Sequence, residues 1–412
     1  MMNGYCYLVM VEPSTNKYKY YEMKDNGNGT FTVHYGRVGN PKAQVKDYPI
    51  HKWSTTYNSK IKKGYVDKTD YYQMTIDPNM PEPNVQKIEE EKNKLKQEKN
   101  IRQEQFDLWE FLKKFTKQTI RNTFENGQHI TKPMVEESKN LLIYLYHYGL
   151  VKDIDNFNKV LLSMMSICPR KVSSRRNGCG GVEDWLAQKP EDIKKIIARE
   201  ESLIQTMEGQ ISYTKKAINS NGQSAGYISD TVKEATPAQI EEVEKHLPRE
   251  LRAKIRKVYR VIPEKKSKEY KTYKESKGIT RTKLLWHGSP NENWLSIIQK
   301  SLLLKPNAKI TGKMFGNGIY FAPDANKSWG YTSGRNSYWA KGTSNTAIMG
   351  LFEVAYGNPL ECYTACKYTQ QYLDQYGKNC VHAKKGRSLY RDEIVFYTED
   401  AMVLKYLVIF DA

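Results

Sequence analysis

The sequence is poor in the features that mark secreted, metal-stapled or membrane-spanning chains. Six cysteines occur in 412 residues, at positions 6, 168, 179, 362, 366 and 380, and no two stand as Cys-x-x-Cys. That disfavours a zinc ribbon or a disulfide framework and fits a reducing intracellular compartment. No stretch approaches the roughly 18 apolar residues of a membrane helix, and the N-terminus lacks a signal-peptide pattern. Acidic residues are scarce beside basic ones: Asp+Glu number 46 against Lys+Arg 65, a formal net charge of +19. No internal repeat is visible.

What is present is enough for several folded domains. Hydrophobic residues make up 39% of the chain, and its 412 residues predict two to four domains. The charge predicts attraction to a polyanion such as nucleic acid, an anionic membrane or a phosphorylated polymer. The plainer alternative is a lysine-rich surface that only keeps a large protein soluble. The excess is local. Residues 1–80 hold 11 Lys/Arg and 7 Asp/Glu, whereas residues 249–283 hold 14 and 4, a net of +10.

Residues 3–75 read as β-rich. Tyr5 to Val11 and Lys17 to Met23 are expected strands, Asp25 to Gly29 a hairpin turn, and Thr30 to Tyr35 the next strand. Trp53 to Lys63 has helical spacing and stops at Gly64. Pro81 to Gln105 reads as a charged linker. Residues 106–218 are expected to be helical, with Phe106, Trp109, Leu112 and Phe115 as a core stripe. Thr131-Lys132-Pro133 is a helix start, Asp155 to Met165 and Pro190 to Met207 are further helices, and Ser173 to Gly181 is a loop. Asn219 to Gly226 reads as a hinge. Beyond it, a Thr236-Pro237 helix start leads into about 180 residues of alternating strands and short helices, an α+β domain. The expected division is 1–80 β-rich, 81–105 linker, 106–225 all-helical and 226–412 mixed α/β.

Three segments of the last region place a polar group at the edge of an apolar strand, where cleft residues commonly sit. They are Leu284-Leu285-Trp286-His287-Gly288-Ser289, Met314-Phe315-Gly316-Asn317-Gly318-Ile319-Tyr320-Phe321-Ala322 with Lys327-Ser328-Trp329-Gly330-Tyr331, and Arg391-Asp392-Glu393-Ile394-Val395-Phe396-Tyr397. Each alone has an ordinary structural explanation. Together, and in this order, they resemble the catalytic domain of the poly(ADP-ribose) polymerases, the diphtheria-toxin-like ADP-ribosyltransferases. The likeness runs from about Thr236 to Phe410.

The resemblance implies a His–Tyr–Glu set around NAD, here His287, Tyr320 and Glu393. It implies that His287, assisted by Ser289, holds the adenine-ribose hydroxyl, and that Gly288 and Ser328 hold the nicotinamide carboxamide. Tyr331 and Tyr320 would flank the nicotinamide ring, with Ala322 in the same binding strand. Glu393 would hold the nicotinamide ribose and stabilise the oxocarbenium that develops as the glycosidic bond breaks. In chain-elongating relatives this glutamate also polarises the incoming hydroxyl. NAD is then the substrate, no metal is required, and the acceptors are proteins, the enzyme itself included. The loop Lys305 to Lys313 would cover the NAD, but Lys313 stands where many relatives carry an aromatic residue, and could instead face the pyrophosphate. The short, Tyr-rich segment Tyr363 to Lys385 gives no basis for carrying over acceptor recognition.

The N-terminal region resembles a WGR domain, with Tyr35-Gly36-Arg37 in place of Trp-Gly-Arg. That implies contact with DNA breaks, Tyr35 stacking on a sugar or base and Arg37 binding phosphate. A WGR fold used only for protein docking is the alternative. The helical stretch resembles the family's regulatory subdomain, which would restrict NAD entry until DNA binding loosens it; a spacer bundle is the alternative. Mono-ADP-ribosylation, or a non-catalytic DNA-end binder, remain the competing functions. The expected location is the nucleus for a eukaryotic source, with Lys265-Lys266-Ser267-Lys268 as an import-type cluster, and the cytoplasm for a bacterial or viral one. No membrane is expected as a partner.

Overall fold

The computed structural model describes residues 4–40, 42–72, 103–125, 130–172, 180–216, 232–304 and 313–412. The expected linker 81–105, loop 173–181, hinge 219–226 and covering loop 305–313 lie wholly or largely outside the described residues. The chain forms two compact units, one of residues 1–89 with 118–211 and one of residues 90–117 with 212–412.

The first unit begins with an antiparallel sheet of β1 (Tyr5–Glu12), β2 (Lys17–Asp25), β3 (Thr30–Arg37), β4 (Gln44–Pro49) and β5 (Val66–Asp67), in the order β4-β3-β2-β1-β5. Alternation puts Cys6, Leu8, Tyr21, Met23, Phe31 and Val33 on one face, against Trp53 of the helix Trp53–Lys62. The β2–β3 turn closes as expected, with Asn26 N–H on the Thr30 carbonyl and Gly27 and Gly29 left-handed. Strand β4 was not legible in the sequence: it is an exposed edge strand with no apolar alternation.

The same unit holds helices Lys132–Val151 and Ile154–Ile167 and most of Pro190–Lys216. Thr131 caps the first, its hydroxyl accepting from Met134 N–H, with Pro133 in the opening turn. The Tyr18 hydroxyl of β2 donates to the Met165 carbonyl at 2.6 Å and accepts from Arg170 N–H at 2.9 Å. The Arg170 guanidinium meets Glu200 at 2.6 Å, both fully buried. Burial alone would raise the Glu200 carboxyl, but Arg170 and Arg199 hold it below its ordinary value.

The second unit is mixed α/β. Its strands are β6 (Val232–Glu234), β7 (Ile255–Val261), β8 (Lys283–Gly288), β9 (Ile319–Phe321), β10 (Thr346–Val354), β11 (Pro359–Cys362), β12 (Cys380–Ala383), β13 (Glu393–Phe396) and β14 (Met402–Asp411). They form two sheets, β6-β7-β14-β10-β8 and β11-β12-β13-β9. Leu108, Trp109 and Leu112 of the helix Gln103–Thr123 enter the core of this unit beside Trp294, Phe352 and Leu404. The side chain of Phe106 lies outside the described residues. A capping box between Thr236 and Gln239 starts the helix Pro237–Lys245.

One link between the sheets positions everything that follows. Trp286 N–H donates to the Ala322 carbonyl and Ala322 N–H to the Trp286 carbonyl, both at 2.9 Å, so the ends of β8 and β9 meet.

The helix Glu264–Ser276 was missed by the sequence reading. It has no apolar stripe, and only Tyr270 is buried. It is solvated and laced by Lys265 and Lys266 to Glu269 and by Lys271 to Glu275. Much of the basic run 249–283 is therefore paired locally: Lys257 also meets Glu234, and Arg256 meets Asp411.

Candidate active site

His287 lies near the end of β8, Tyr320 in the middle of β9, and Glu393 opens β13. Strands β9 and β13 pair antiparallel with Val395 opposite Tyr320 and Ile394 opposite Phe321, which sets Glu393 one step further on, at the level of Ala322. Nδ1 of His287 lies 3.0 Å from the Tyr320 carbonyl oxygen. A carbonyl only accepts, so Nδ1 carries the proton, and in the neutral ring Nε2 is an acceptor nitrogen. The imidazole is walled edge-on by Trp294, Phe321 and Phe352.

The Tyr320 ring is fixed at its far end. Its hydroxyl donates to the Gly316 carbonyl at 2.9 Å and accepts from Phe315 N–H at 3.1 Å. Burial, with the Glu393 charge nearby, pushes this phenol well above its ordinary value. Gly316 permits the turn: its φ is +94° and a Cβ there would meet the Tyr368 carbonyl at 2.6 Å. Lys313 donates to the Gly318 carbonyl at 3.0 Å, and its ammonium stands 5.5 Å from the centre of the Tyr320 ring, so it is bound back onto this turn.

Gly288 and Ser328 are pressed together. A Cβ on Gly288 would lie 1.9 Å from the Ser328 carbonyl oxygen, so only glycine fits. The Ser328 hydroxyl donates to the Trp286 carbonyl at 3.0 Å, leaving its lone pairs as acceptors. Ser289 is buried, with its hydroxyl accepting from the Asn293 amide at 3.1 Å. Tyr331 is half-exposed and stacks near-parallel on Trp339, ring centres 6.2 Å apart.

The sequence reading missed the partner of Glu393. Lys327, on the helix Ala325–Trp329, places Nζ 2.9 Å from Glu393 Oε1, and both side chains are about nine-tenths buried at 11% exposure. The same ammonium donates to the Arg391 carbonyl at 2.8 Å, while the Arg391 guanidinium pairs with Asp324, which caps that helix. A lysine directly before Ser328 was the one available signal. A second unread feature ends beside Glu393: Tyr356 Oη lies 2.6 Å from His382 Nδ1, and His382 Nε2 lies 2.8 Å from Asp392.

Tyr35 and Arg37 are not part of this constellation; they belong to the other unit. Tyr35 packs beside Tyr21 at 5.5 Å, with the Lys60 ammonium 5.8 Å from its ring. Arg37 donates to the Asn16 carbonyl at 2.6 Å and to its side chain at 3.3 Å, so its guanidinium braces the β1–β2 turn.

The second unit thus sets a histidine, a tyrosine and a lysine-paired glutamate at adjoining strand ends. Residues 238–404 match the family model of the poly(ADP-ribose) polymerase catalytic domain. The chain is thus an enzyme, with an NAD+ ADP-ribosyltransferase domain in its C-terminal part. It is 27% identical over 223 residues to "Uncharacterized protein 101L" of Invertebrate iridescent virus 6, covering 54% of this chain and 82% of that one. It is 29% identical over 160 residues to the same virus's "Putative poly(ADP-ribose) polymerase-like 100L", covering 37% and 83%. Against "Poly(ADP-ribose) polymerase 2" of Homo sapiens it is 40% identical over 104 residues, covering 25% of this chain and only 16% of that one. Among the described residues, no helix is long and apolar enough to cross a membrane.

Proposed function

We infer that the protein cleaves NAD at the nicotinamide–ribose bond and transfers ADP-ribose to protein acceptors, extending the product into a polymer. The observation that carries this reading is the meeting of His287, Tyr320 and Glu393 at the β8–β9–β13 junction, with Glu393 clamped by Lys327.

The residues present suit NAD. The acceptor nitrogen of His287 receives a hydrogen bond from the adenine-ribose hydroxyl. The close approach of Gly288 to Ser328 leaves backbone accessible to the carboxamide, and the Ser328 hydroxyl, its own hydrogen given to Trp286, accepts from the amide N–H. Tyr320 and Tyr331 flank the ring. When the C–N bond breaks, its electron pair goes to the nicotinamide nitrogen and the ribose carbon becomes oxocarbenium-like. Glu393, fixed in direction by Lys327, stabilises that charge and polarises the acceptor hydroxyl, which attacks the carbon and passes its proton to the Glu393 carboxylate. No metal enters this scheme.

In the first unit, the WGR-like reading gives Tyr35 and Arg37 to DNA breaks and the helices to regulation of the catalytic domain. The presence of a buried, lysine-held glutamate favours elongation over single transfer; location follows the source, nuclear or cytoplasmic.

The test is incubation of the full chain with labelled NAD, with and without nicked duplex DNA, and separation of the products on a gel. A ladder that appears only with DNA is expected. One sharp band limits the activity to mono-ADP-ribosylation, and unchanged NAD under every condition overturns the proposal.

A further inference from the structure

The second unit contains a cavity of about 570 Å³ that the His–Tyr–Glu cluster does not use. Its lining includes Lys277, Arg281, Asp374 and Lys378, together with Gly357 and Asn379. Its volume falls in the range of small-molecule sites.

Its charge is only partly compensated. Asp374 is taken by Lys277 at 2.8 Å, and among the described residues Lys378 is held by the neutral Asn358 amide at 3.1 Å. Among the described residues neither Arg281 nor Lys283 has a carboxylate within ion-pair distance. Instead both crowd one ring, with the guanidinium carbon 4.8 Å and the ammonium 4.0 Å from the centre of Tyr356. Burial, with Arg281 and Lys384 beside it, holds the Lys283 ammonium below its ordinary value. Cations gathered this closely repel one another, and an anion of two or more charges in the cavity offsets that repulsion.

The cavity's shape narrows the ligand. Double-stranded DNA is held by a stripe of cations that neutralises many phosphates in register. Here three cations, Lys277, Arg281 and Lys378, line one open pocket, a compact cluster that suits two linked phosphates. Arg281 brings the planar fork that binds phosphate oxygens in pairs. The position suits a product of this enzyme. Asn379 precedes β12, and Ala383 at its far end stands opposite Glu393, so the cavity lies about four residues, or roughly 13 Å, along one strand from that carboxylate.

We propose that this cavity is a second binding site for a pyrophosphate-bearing nucleotide, an ADP-ribose unit of the enzyme's own product, held by Arg281 and Lys378. The identity of the nucleotide rests on the activity proposed above; the pyrophosphate site itself does not.

The experiment is calorimetric titration of the full chain with inorganic pyrophosphate, ADP-ribose and a blunt DNA duplex. It is run on His287→Ala, which disables the cleft, and on His287→Ala combined with Arg281→Gln and Lys378→Gln. The His287→Ala protein should bind both pyrophosphate and ADP-ribose. The added substitutions should weaken both about tenfold, the worth of one charge-assisted hydrogen bond. In the His287-intact background, Arg281→Gln/Lys378→Gln should leave the KM for NAD and the melting temperature unchanged. Arg281→Lys, which keeps the charge but loses the fork, should recover part of the affinity. Pyrophosphate binding that ignores the two substitutions, or binding of duplex DNA in preference to pyrophosphate, overturns the site. Pyrophosphate binding in a protein that never consumes NAD upholds the site and sinks the activity.

Discussion

Lys327 holds Glu393 by a 2.9 Å ion pair inside the domain, and its other contact is the Arg391 carbonyl two residues before that glutamate. One ammonium therefore fixes both the carboxylate and the strand entry that carries it. Removing it leaves a buried carboxylate without its partner and free to rotate. Lys327→Met should lower kcat for ADP-ribosyl transfer about a hundredfold, the order seen when one preorganised electrostatic partner is lost. The KM for NAD should change less than about twofold, because Lys327 positions Glu393 rather than the dinucleotide. Steady-state nicotinamide release measures both quantities, and a raised KM with unchanged kcat would refute the assignment.

Glu393→Gln keeps the shape of the side chain but removes its charge. The ladder of long products should vanish, since loss of a general base typically costs 10²–10⁴-fold. Slow NAD cleavage should persist, because the carboxamide site proposed at Gly288 and Ser328 is untouched. Gel analysis of labelled product, beside a nicotinamide assay, separates the two effects; an unchanged ladder removes Glu393 from elongation.

Gly288 tests the packing of the same site. Its missing Cβ would stand 1.9 Å from a backbone oxygen of Ser328, which no rotamer change relieves. Gly288→Ala should cost about 1–3 kcal/mol through forced separation of β8 from the Ala325–Trp329 helix. The melting temperature should fall and NAD turnover should be lost. A variant as stable as the parent would show that the two segments are not in contact in solution.

Arg37 is the point at which the expected DNA contact meets a structural role. Its guanidinium donates to Asn16, whereas the WGR-like reading proposed above gives it to a DNA phosphate. Arg37→Ala should reduce DNA stimulation and lower the slope of log affinity against log salt by about one phosphate contact. Basal turnover should stay the same. Equal stimulation in the variant would leave Arg37 as a brace of the turn alone.

The strand-end positions of His287, Tyr320 and Glu393 were legible because each sits in a run of apolar strand text that a short motif captures. Strand periodicity likewise exposed β1 to β3, and the Thr131 and Thr236 caps exposed two helix starts. Other features left no such trace. Strand β4 is held by its ladder to β3 and the helix Glu264–Ser276 by ion pairs along its surface, so neither shows apolar periodicity. Lys327 and Glu393 are 66 positions apart and His382 and Tyr356 are 26 apart, and only the sheet order β11-β12-β13-β9 and its flanking helix bring such partners together. Within the basic run, net charge could not separate locally paired lysines from Arg281, which has no carboxylate partner among the described residues.

The Tyr356–His382–Asp392 chain makes stability depend on pH with a definite sign. His382 is buried, and that burial, reinforced by Lys384 and Lys283, outweighs Asp392 and holds its pKa below the ordinary value. The unfolded chain therefore takes up the proton first. Stability is full above the ordinary histidine value of about 6.5, and it falls as pH drops from there toward the depressed folded value. Asp392 is likewise depressed, by Lys385 N–H and His382 against its own burial, but its loss belongs to more acidic solution, below about 3.9. His246 is also lowered by burial and contributes in the same window, so the decisive quantity is a difference. Melting temperatures of the parent protein should decline between about pH 7 and pH 5, and His382→Gln should be less stable at pH 7.5 yet show a shallower decline. A parallel decline in both proteins would show that His382 is not the proton acceptor, and that this buried chain does not tie the entry of β13 to pH.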